Sequence, residues 1–229
     1  MSNSIIAQLV KKDFLMTRNT IFIFCLITLA SVAAIYMIFG HVPKVVFLNL
    51  GFTLLIAPAI TCAIVLLMKT IVMEKQKSTQ LFIMSLPLSI REFTTAKLLL
   101  NLPVFTIFWL GITAVAFYFS FGLGLFPYGS VPFITMIFLG IFVAYVVILS
   151  IAILYQSYGV TVITMLCAEL GTPAYLWVIA YSEPINSHVY ESHMVWNSPA
   201  IAIVATQILL IILVPLIAWH IQNKKRDFV

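Results

Sequence analysis

From Leu98 to Ala168 the chain carries no charged side chain. No other feature limits the fold as strongly. A helix crosses the roughly 30 Å hydrocarbon core of a bilayer in about 20 residues, so this stretch is far too long for one span. It must turn, and the breakers "FGLGLFPYGSVP" (121–132) and "YQSYG" (155–159) mark where. A soluble domain has about 25% charged residues; this chain has 8%, with 63% hydrophobic residues and a mean hydropathy of +1.14. No water-soluble core could hide that much apolar surface, so the solvent must be a lipid bilayer. The 229 residues suffice for about six spans with short loops. The expected fold is an all-α, polytopic membrane protein forming a single transmembrane domain over 1–229, with spans near 20–40, 45–69, 98–121, 132–155, 159–181 and 200–221.

Ahead of the first span, residues 4–18 place Ile5, Ile6, Leu9, Val10 and Met16 on one helical arc, with Lys11, Lys12 and Arg18 elsewhere. That pattern predicts an N-terminal helix lying in the membrane interface, with Asp13 intruding on its apolar arc. The apolar run that follows exceeds the 7–15 residues of a signal-peptide core and has no A-x-A-like site, so it reads as the first anchor. Pro58 predicts a kink in the second span. Cys25, Cys62 and Cys167 are scattered through apolar spans without metal-ligand spacing, and are expected to be small buried hydrophobes.

Lys and Arg fix the orientation. Lys11, Lys12, Arg18, Lys69, Lys75, Lys77, Arg91, Lys97, Lys224, Lys225 and Arg226 fall on one side, and Lys44 alone on the other. Both termini and residues 69–97 are therefore expected in the cytoplasm, with the loops near 40–45, 122–132 and 182–199 outside. The +5 net charge is accounted for by these flanking residues and implies no nucleic-acid partner.

Residues 74–97, "EKQKSTQLFIMSLPLSIREFTTAK", form the one charged stretch between two apolar ones. Ser89 and Glu92 have the spacing of a capping box, with Leu88 and Phe93 at hydrophobic-staple positions. A helix should start there and run through Lys97 into the third span. Pro87 breaks the chain before it, and residues 74–85 can form a short helix of their own. An apolar centre in a cytoplasmic segment must bury against the membrane interface or a partner protein.

This stretch resembles the cytoplasmic segment of ABC-2 type transporter permeases: a Glu, a polar spacer, a Ser-Leu-Pro-hydrophobic-Ser core, then a charged pair and a Lys. The start, "LVKKDFLMTRN", is similar to the family's basic interfacial helix. The resemblance implies the permease subunit of an ABC exporter in the plasma (inner) membrane, dimeric with a second copy or a paralogue. Residues about 75–86 would be a coupling helix docked on separate ATPase subunits. Leu81, Phe82 and Met84 would supply apolar contacts, and Glu74, Lys75, Lys77 and Arg91 polar ones. ATP and magnesium would belong to that partner, because no G-x-x-x-x-G-K-[ST] occurs here; no cofactor is expected in this chain.

No H-E-x-x-H or G-x-S-x-G occurs either, so a membrane enzyme lacks a catalytic set. Outside, Glu183, His188, Glu191 and His193 match no strong metal motif, and no metal is expected. Glu169 lies near the middle of span five, where an acid costs about 2.5–3.5 kcal/mol by the value for Asp. It is a candidate for transport or gating, or for a hydrogen bond that locks helix packing, or it sits at a break in the span at Gly171-Thr172-Pro173. With Glu169 as proton carrier, the alternative function is a proton- or ion-coupled secondary transporter. A hydrophobic or amphipathic cargo (peptide, lipid-like molecule or drug) suits the uncharged spans.

The topology predicts that a single cysteine placed at Lys77, in a chain with its native cysteines replaced, escapes an impermeant thiol reagent in intact cells and reacts once the cells are opened. Reaction in intact cells would reverse the topology.

Overall fold

The computed structural model describes the backbone of residues 2–76 and 89–224. The long helices are α1 (Ser2–Ile38), α2 (Lys44–Leu67), α4 (Ile90–Phe117), α5 (Val131–Tyr155), α6 (Tyr158–Tyr181) and α8 (Ser198–Lys224), with the short α3 (Met73–Gln76) and α7 (Glu183–Asn186) between them. No strand occurs among the described residues. All six long elements are long and apolar enough to cross a membrane. The chain is an all-α protein of multi-pass membrane type, and its spans lie close to where the sequence put them.

Three expectations change. The interfacial helix 4–18 and the first span form one unbroken helix, because no Gly or Pro interrupts residues 2–38. At 1.5 Å per residue, its 37 residues reach about 55 Å, well beyond the hydrocarbon thickness. Span five does not break at Gly171-Thr172-Pro173 either. Helix α6 runs through Pro173, and the Thr172 hydroxyl donates to the Ala168 carbonyl at 2.8 Å, holding the turn before the proline. Of the cysteines only Cys62 is buried; Cys25 and Cys167 are exposed on apolar helix faces.

The chain forms two compact units, Met1–Ala116 and Phe117–Val229. In the first, α1 packs on α2. The inner stripe of α1 runs Leu9, Asp13, Thr17 and on to Ser31 and Ile35, all buried. Helix α2 ends in a π-helical turn, Met68–Val72. This wider turn buries three successive residues, Thr70, Ile71 and Val72, before α3 brings in Glu74. Helix α4 starts as its capping box predicts: the Ser89 amide donates to Glu92 Oε2 at 3.0 Å, and the Glu92 amide donates to Ser89 Oγ at 3.2 Å.

The second unit is built on α5, with α6 and α8 packed against it. Met136, Ile134, Phe138, Val146 and Leu149 of α5 are buried. Gln156 ends α5 in the left-handed conformation (φ 47°), its amide donating to the Ala152 carbonyl at 2.9 Å. Only Gln156 and Ser157 separate α5 from α6. Segment 182–199 is ordered against this unit. Ile185 of α7 joins a buried cluster with Met136, Ile179 and Ala200, and Asn197 Oδ1 caps α8 by accepting from the Ala200 amide at 3.0 Å. The Gly129 amide donates to the Glu191 carbonyl at 2.9 Å. A Cβ at Gly129 would stand 2.2 Å from the His188 carbonyl oxygen, which only glycine avoids.

Gly129→Ala should therefore push residues 188–191 off their seat. Overpacking of this kind costs about 1–3 kcal/mol. Denaturant unfolding of the detergent-solubilised chain should show that loss, with faster amide exchange at residues 188–191. Unchanged exchange there would contradict the close approach.

Candidate functional site: a buried ring of charges and an apolar cavity

The polar centre of the first unit is assembled by helical spacing. Asp13 sits between Leu9 and Thr17 on the inner stripe of α1, Glu74 follows Thr70 past the π turn, and Lys97 lies between Phe93 and Asn101 on α4. All of these are buried. Lys97 Nζ donates to Asp13 Oδ2 at 2.8 Å and to Glu74 Oε2 at 2.6 Å. Lys12 Nζ donates to Glu74 Oε1 at 2.5 Å and lies 3.1 Å from Asp13 Oδ1. The two lysines and two carboxylates alternate around a closed ring with no net charge.

Burial differs around the ring. The side chains of Lys97, Asp13 and Glu74 are 1%, 0% and 5% exposed, and that of Lys12 is 40% exposed. The contact from Lys12 to Asp13 is a charge contact only, since Asp13 Oδ1 makes no hydrogen bond. The Lys97 ammonium also lies 4.8 Å from the centre of the Phe93 ring, within cation–π range. One turn further along α4, Asn101 Nδ2 donates to the Lys97 carbonyl at 2.9 Å and to Thr70 Oγ1 at 3.1 Å. Lys69 Nζ reaches Thr20 Oγ1 at 2.7 Å. Together these bonds tie α1, the end of α2 and the start of α4.

The ring reassigns two residues. Asp13, an intruder on an apolar arc in sequence, is the buried acid that Lys97 requires. Glu74 turns into the protein, with both carboxylate oxygens held by lysines of its own chain. Arg91 is exposed on the first turn of α4. The backbone of Lys75 is helical; Lys77, Leu81, Phe82 and Met84 lie outside the described residues, as does Leu88 of the expected staple. The pairing of Lys97 with Asp13 and Glu74 is not visible in the sequence. Its one signal was an acid inside an apolar arc, together with a lysine at the mouth of a span.

The second unit holds a cavity of about 770 Å³ between α5, α6 and α8, within the size range of drug-sized ligand sites. Its walls are almost wholly apolar and include no charged side chain. Gly140 leaves the space that Tyr175 fills, since a Cβ there would stand 2.7 Å from the tyrosine ring. Gln207 Nε2 donates to the Met136 carbonyl at 2.9 Å and to Tyr175 Oη at 2.5 Å. Only an amide nitrogen can donate to a carbonyl, so the orientation of the amide is fixed. Gln207 Oε1 is left buried without a hydrogen bond, a cost of about 1–3 kcal/mol if it stays unmatched.

Glu169 does not line this cavity. It is exposed on α6, next to the exposed Leu170, and has no hydrogen bond or ion pair among the described residues. Pro173 lacks the amide that would otherwise bond to the Glu169 carbonyl. In segment 182–199, His188 Nδ1 lies 2.6 Å from Glu191 Oε1, and His193 Nε2 lies 3.2 Å from Glu191 Oε2. The hydrogen bond to His188 holds the Glu191 carboxyl below the usual carboxylate range. These residues bond to one another, and no His, Cys, Asp and Glu group among the described residues could hold a metal ion; Glu183, at the start of α7, is exposed.

Six apolar spans define the class, a multi-pass helical membrane protein. Set against protein-family models, curated proteins and solved structures, the chain matches none of them.

Removing one member of a buried ion pair costs about 3–5 kcal/mol, whereas replacing the pair by apolar groups is often neutral. Lys97→Met alone should therefore destabilise the chain by about that much, and Lys97→Met with Asp13→Leu should recover most of the loss. Denaturant unfolding in detergent measures both. Simple additivity of the two changes would show that the charges are not coupled.

Proposed function

We propose that this chain is the membrane permease of an ATP-driven exporter of ABC-2 type in the plasma (inner) membrane, paired with an identical or paralogous permease and energised by separate ATPase subunits. It is a transport subunit and not itself an enzyme; ATP and magnesium bind to the partner. Both termini and residues 74–97 face the cytoplasm, and the cargo is hydrophobic or amphipathic.

One observation carries this reading. Glu74 and Lys97, at the two ends of the segment that resembles a coupling helix, bond to each other at 2.6 Å, and both reach α1 through Lys12 and Asp13. A segment that only joined two spans would need neither end held. One that receives a push from an ATPase needs both ends tied to the helices it must move. Closure of the ATPase pair would press on residues about 75–86, and the ring would pass the displacement to α1, α2 and α4 together, favouring the outward-open state of an alternating-access cycle. Leu81, Phe82 and Met84 would enter the ATPase groove, with Lys75, Lys77 and Arg91 around them. Glu74 would act from inside, through Lys97.

The proton-coupled reading has less support. Its carrier, Glu169, has no hydrogen bond or ion pair among the described residues and lies off the cavity wall, so among those residues no chain of acid–base groups leads to or from it.

The test is co-purification. The tagged permease should retain an ATPase with a P-loop, and Leu81→Asp with Phe82→Asp should release it or abolish export while the spans still insert. Burial of two such side chains contributes about 3–6 kcal/mol at roughly 1.5–3 each, so the loss should be large. An ATPase that stays bound, with export intact, would remove this segment from the docking site.

A further inference from the structure

One face of α1 is left unused by the packing of the first unit. Lys11, Leu15, Arg18, Phe22, Leu26 and Leu29 recur every three or four residues, which sets them on one side of the helix. All six are exposed, and they lie opposite the buried stripe of Leu9, Asp13 and Thr17. Neither Lys11 nor Arg18 has a hydrogen bond or ion pair among the described residues. The acids of this unit are committed elsewhere: Asp13 and Glu74 to the ring with Lys12 and Lys97, and Glu92 to the Ser89 cap. Orientation in a membrane needs basic residues near the end of a span, but on no particular face. Here both stand in line with the apolar stripe.

The chain also sets the depth of this stripe. Residues 19–38 carry no charge, and about 20 residues of helix cross the hydrocarbon core. Arg18 therefore stands at the edge of the core, and Lys11 lies about 10 Å further out along the helix, beyond a headgroup layer about 5–7 Å deep. Helical side chains lean toward the N-terminus, so Arg18 leaves the helix toward the headgroups. A lipid phosphate between the two meets a guanidinium and an ammonium, both donors of charge-assisted hydrogen bonds, while its acyl chain meets only carbon below. A zwitterionic headgroup brings its own cation to that phosphate, whereas an anionic one leaves its charge for the protein. A second copy laid on this face in the same orientation would set Arg18 against Arg18 and Lys11 against Lys11, and like charges so placed repel. We infer that the outward face of α1 is a binding site for an anionic phospholipid, its phosphate held between Lys11 and Arg18 beside Leu15, and an acyl chain lying along Phe22, Leu26 and Leu29. The inference needs α1 to cross the membrane but does not rest on the transport reading, since binding is measured without ATP or a partner.

The probe is phosphatidylglycerol bearing a diazirine in its acyl chain, compared with phosphatidylcholine bearing the same chain. The full chain is reconstituted in phosphatidylcholine nanodiscs holding either probe at equal mole fraction, then photolabelled, and the labelled residues are located by mass spectrometry. At low salt the anionic probe should label residues 22–29 about fivefold to thirtyfold more than the zwitterionic one, the range for one to two engaged cations. Salt at about 1 M should remove most of that excess, which tests the inference on the unaltered chain. Helix α6, which has no Lys or Arg, should show no such excess. Lys11→Gln with Arg18→Gln should bring the two probes level on α1, and Lys11→Arg with Arg18→Lys should keep the excess. Equal labelling of residues 22–29 by both probes at low salt, an excess that survives the double Gln variant, or an excess as large on α6 would overturn the inference. So would a disulfide joining the exposed Cys25 of two copies, with no lipid label on residues 22–29, which would give the face to a protein contact.

Discussion

A peptide group surrounded by hydrocarbon has no water to bond to, and the rest of this structure answers to that fact. It permits only helices or closed barrels as spans, and this chain, without a strand among its described residues, uses helices throughout. The same constraint explains why so many threonines, among them Thr28, Thr53, Thr61, Thr106 and Thr135, bond back to the carbonyl four residues earlier. Their hydroxyls have nowhere better to go. It also explains why Phe22, Leu29, Leu170, Val178, Leu209 and Ile217 can stand exposed, which in water would be a severe liability.

Charge meets the same constraint in a sharper form. The ring of Lys12, Asp13, Glu74 and Lys97 resolves it by closure, since each carboxylate lies between two ammonium groups and the whole is neutral. Such a ring adds little stability over apolar packing. What it provides is registration, because three helix segments must be aligned for four charged atoms to meet. Glu169 stands in contrast, an acid exposed on an apolar helix with no hydrogen bond or ion pair among the described residues.

Much of this was legible from sequence, for identifiable reasons. The six spans were, because an uncharged run and its Gly/Pro breakers report directly on burial in lipid. The start of α4 was, because a capping box is a local device whose two residues lie three apart. The link at 155–159 was read as a tight turn, though not that Gln156 would adopt a left-handed conformation usual for glycine. The ring was not legible, because Lys97 lies 84 positions from Asp13 and 23 from Glu74, and their helical faces were unknown until the π turn at Met68–Val72 set the register of Glu74. The continuity of α1 was obscured by its change from mixed to apolar character near Arg18, a change of surroundings and not of backbone. Gln207 gave no signal as a single amide in an apolar span, and acquired meaning only beside Tyr175 and the Met136 carbonyl.

The short link after α5 has a mechanical consequence. Three backbone steps join Tyr155 to Tyr158, so these helix ends cannot part by more than about 11 Å even when fully stretched. The left-handed turn at Gln156 and its bond to the Ala152 carbonyl keep them closer still. Any swing of α6 away from α5 must therefore pivot at that end, as a page turns on its spine, with the greatest travel near Tyr181. The mouth of the cavity would widen from that free edge, where α7 and the seated loop at Gly129 form the clasp that would have to release first.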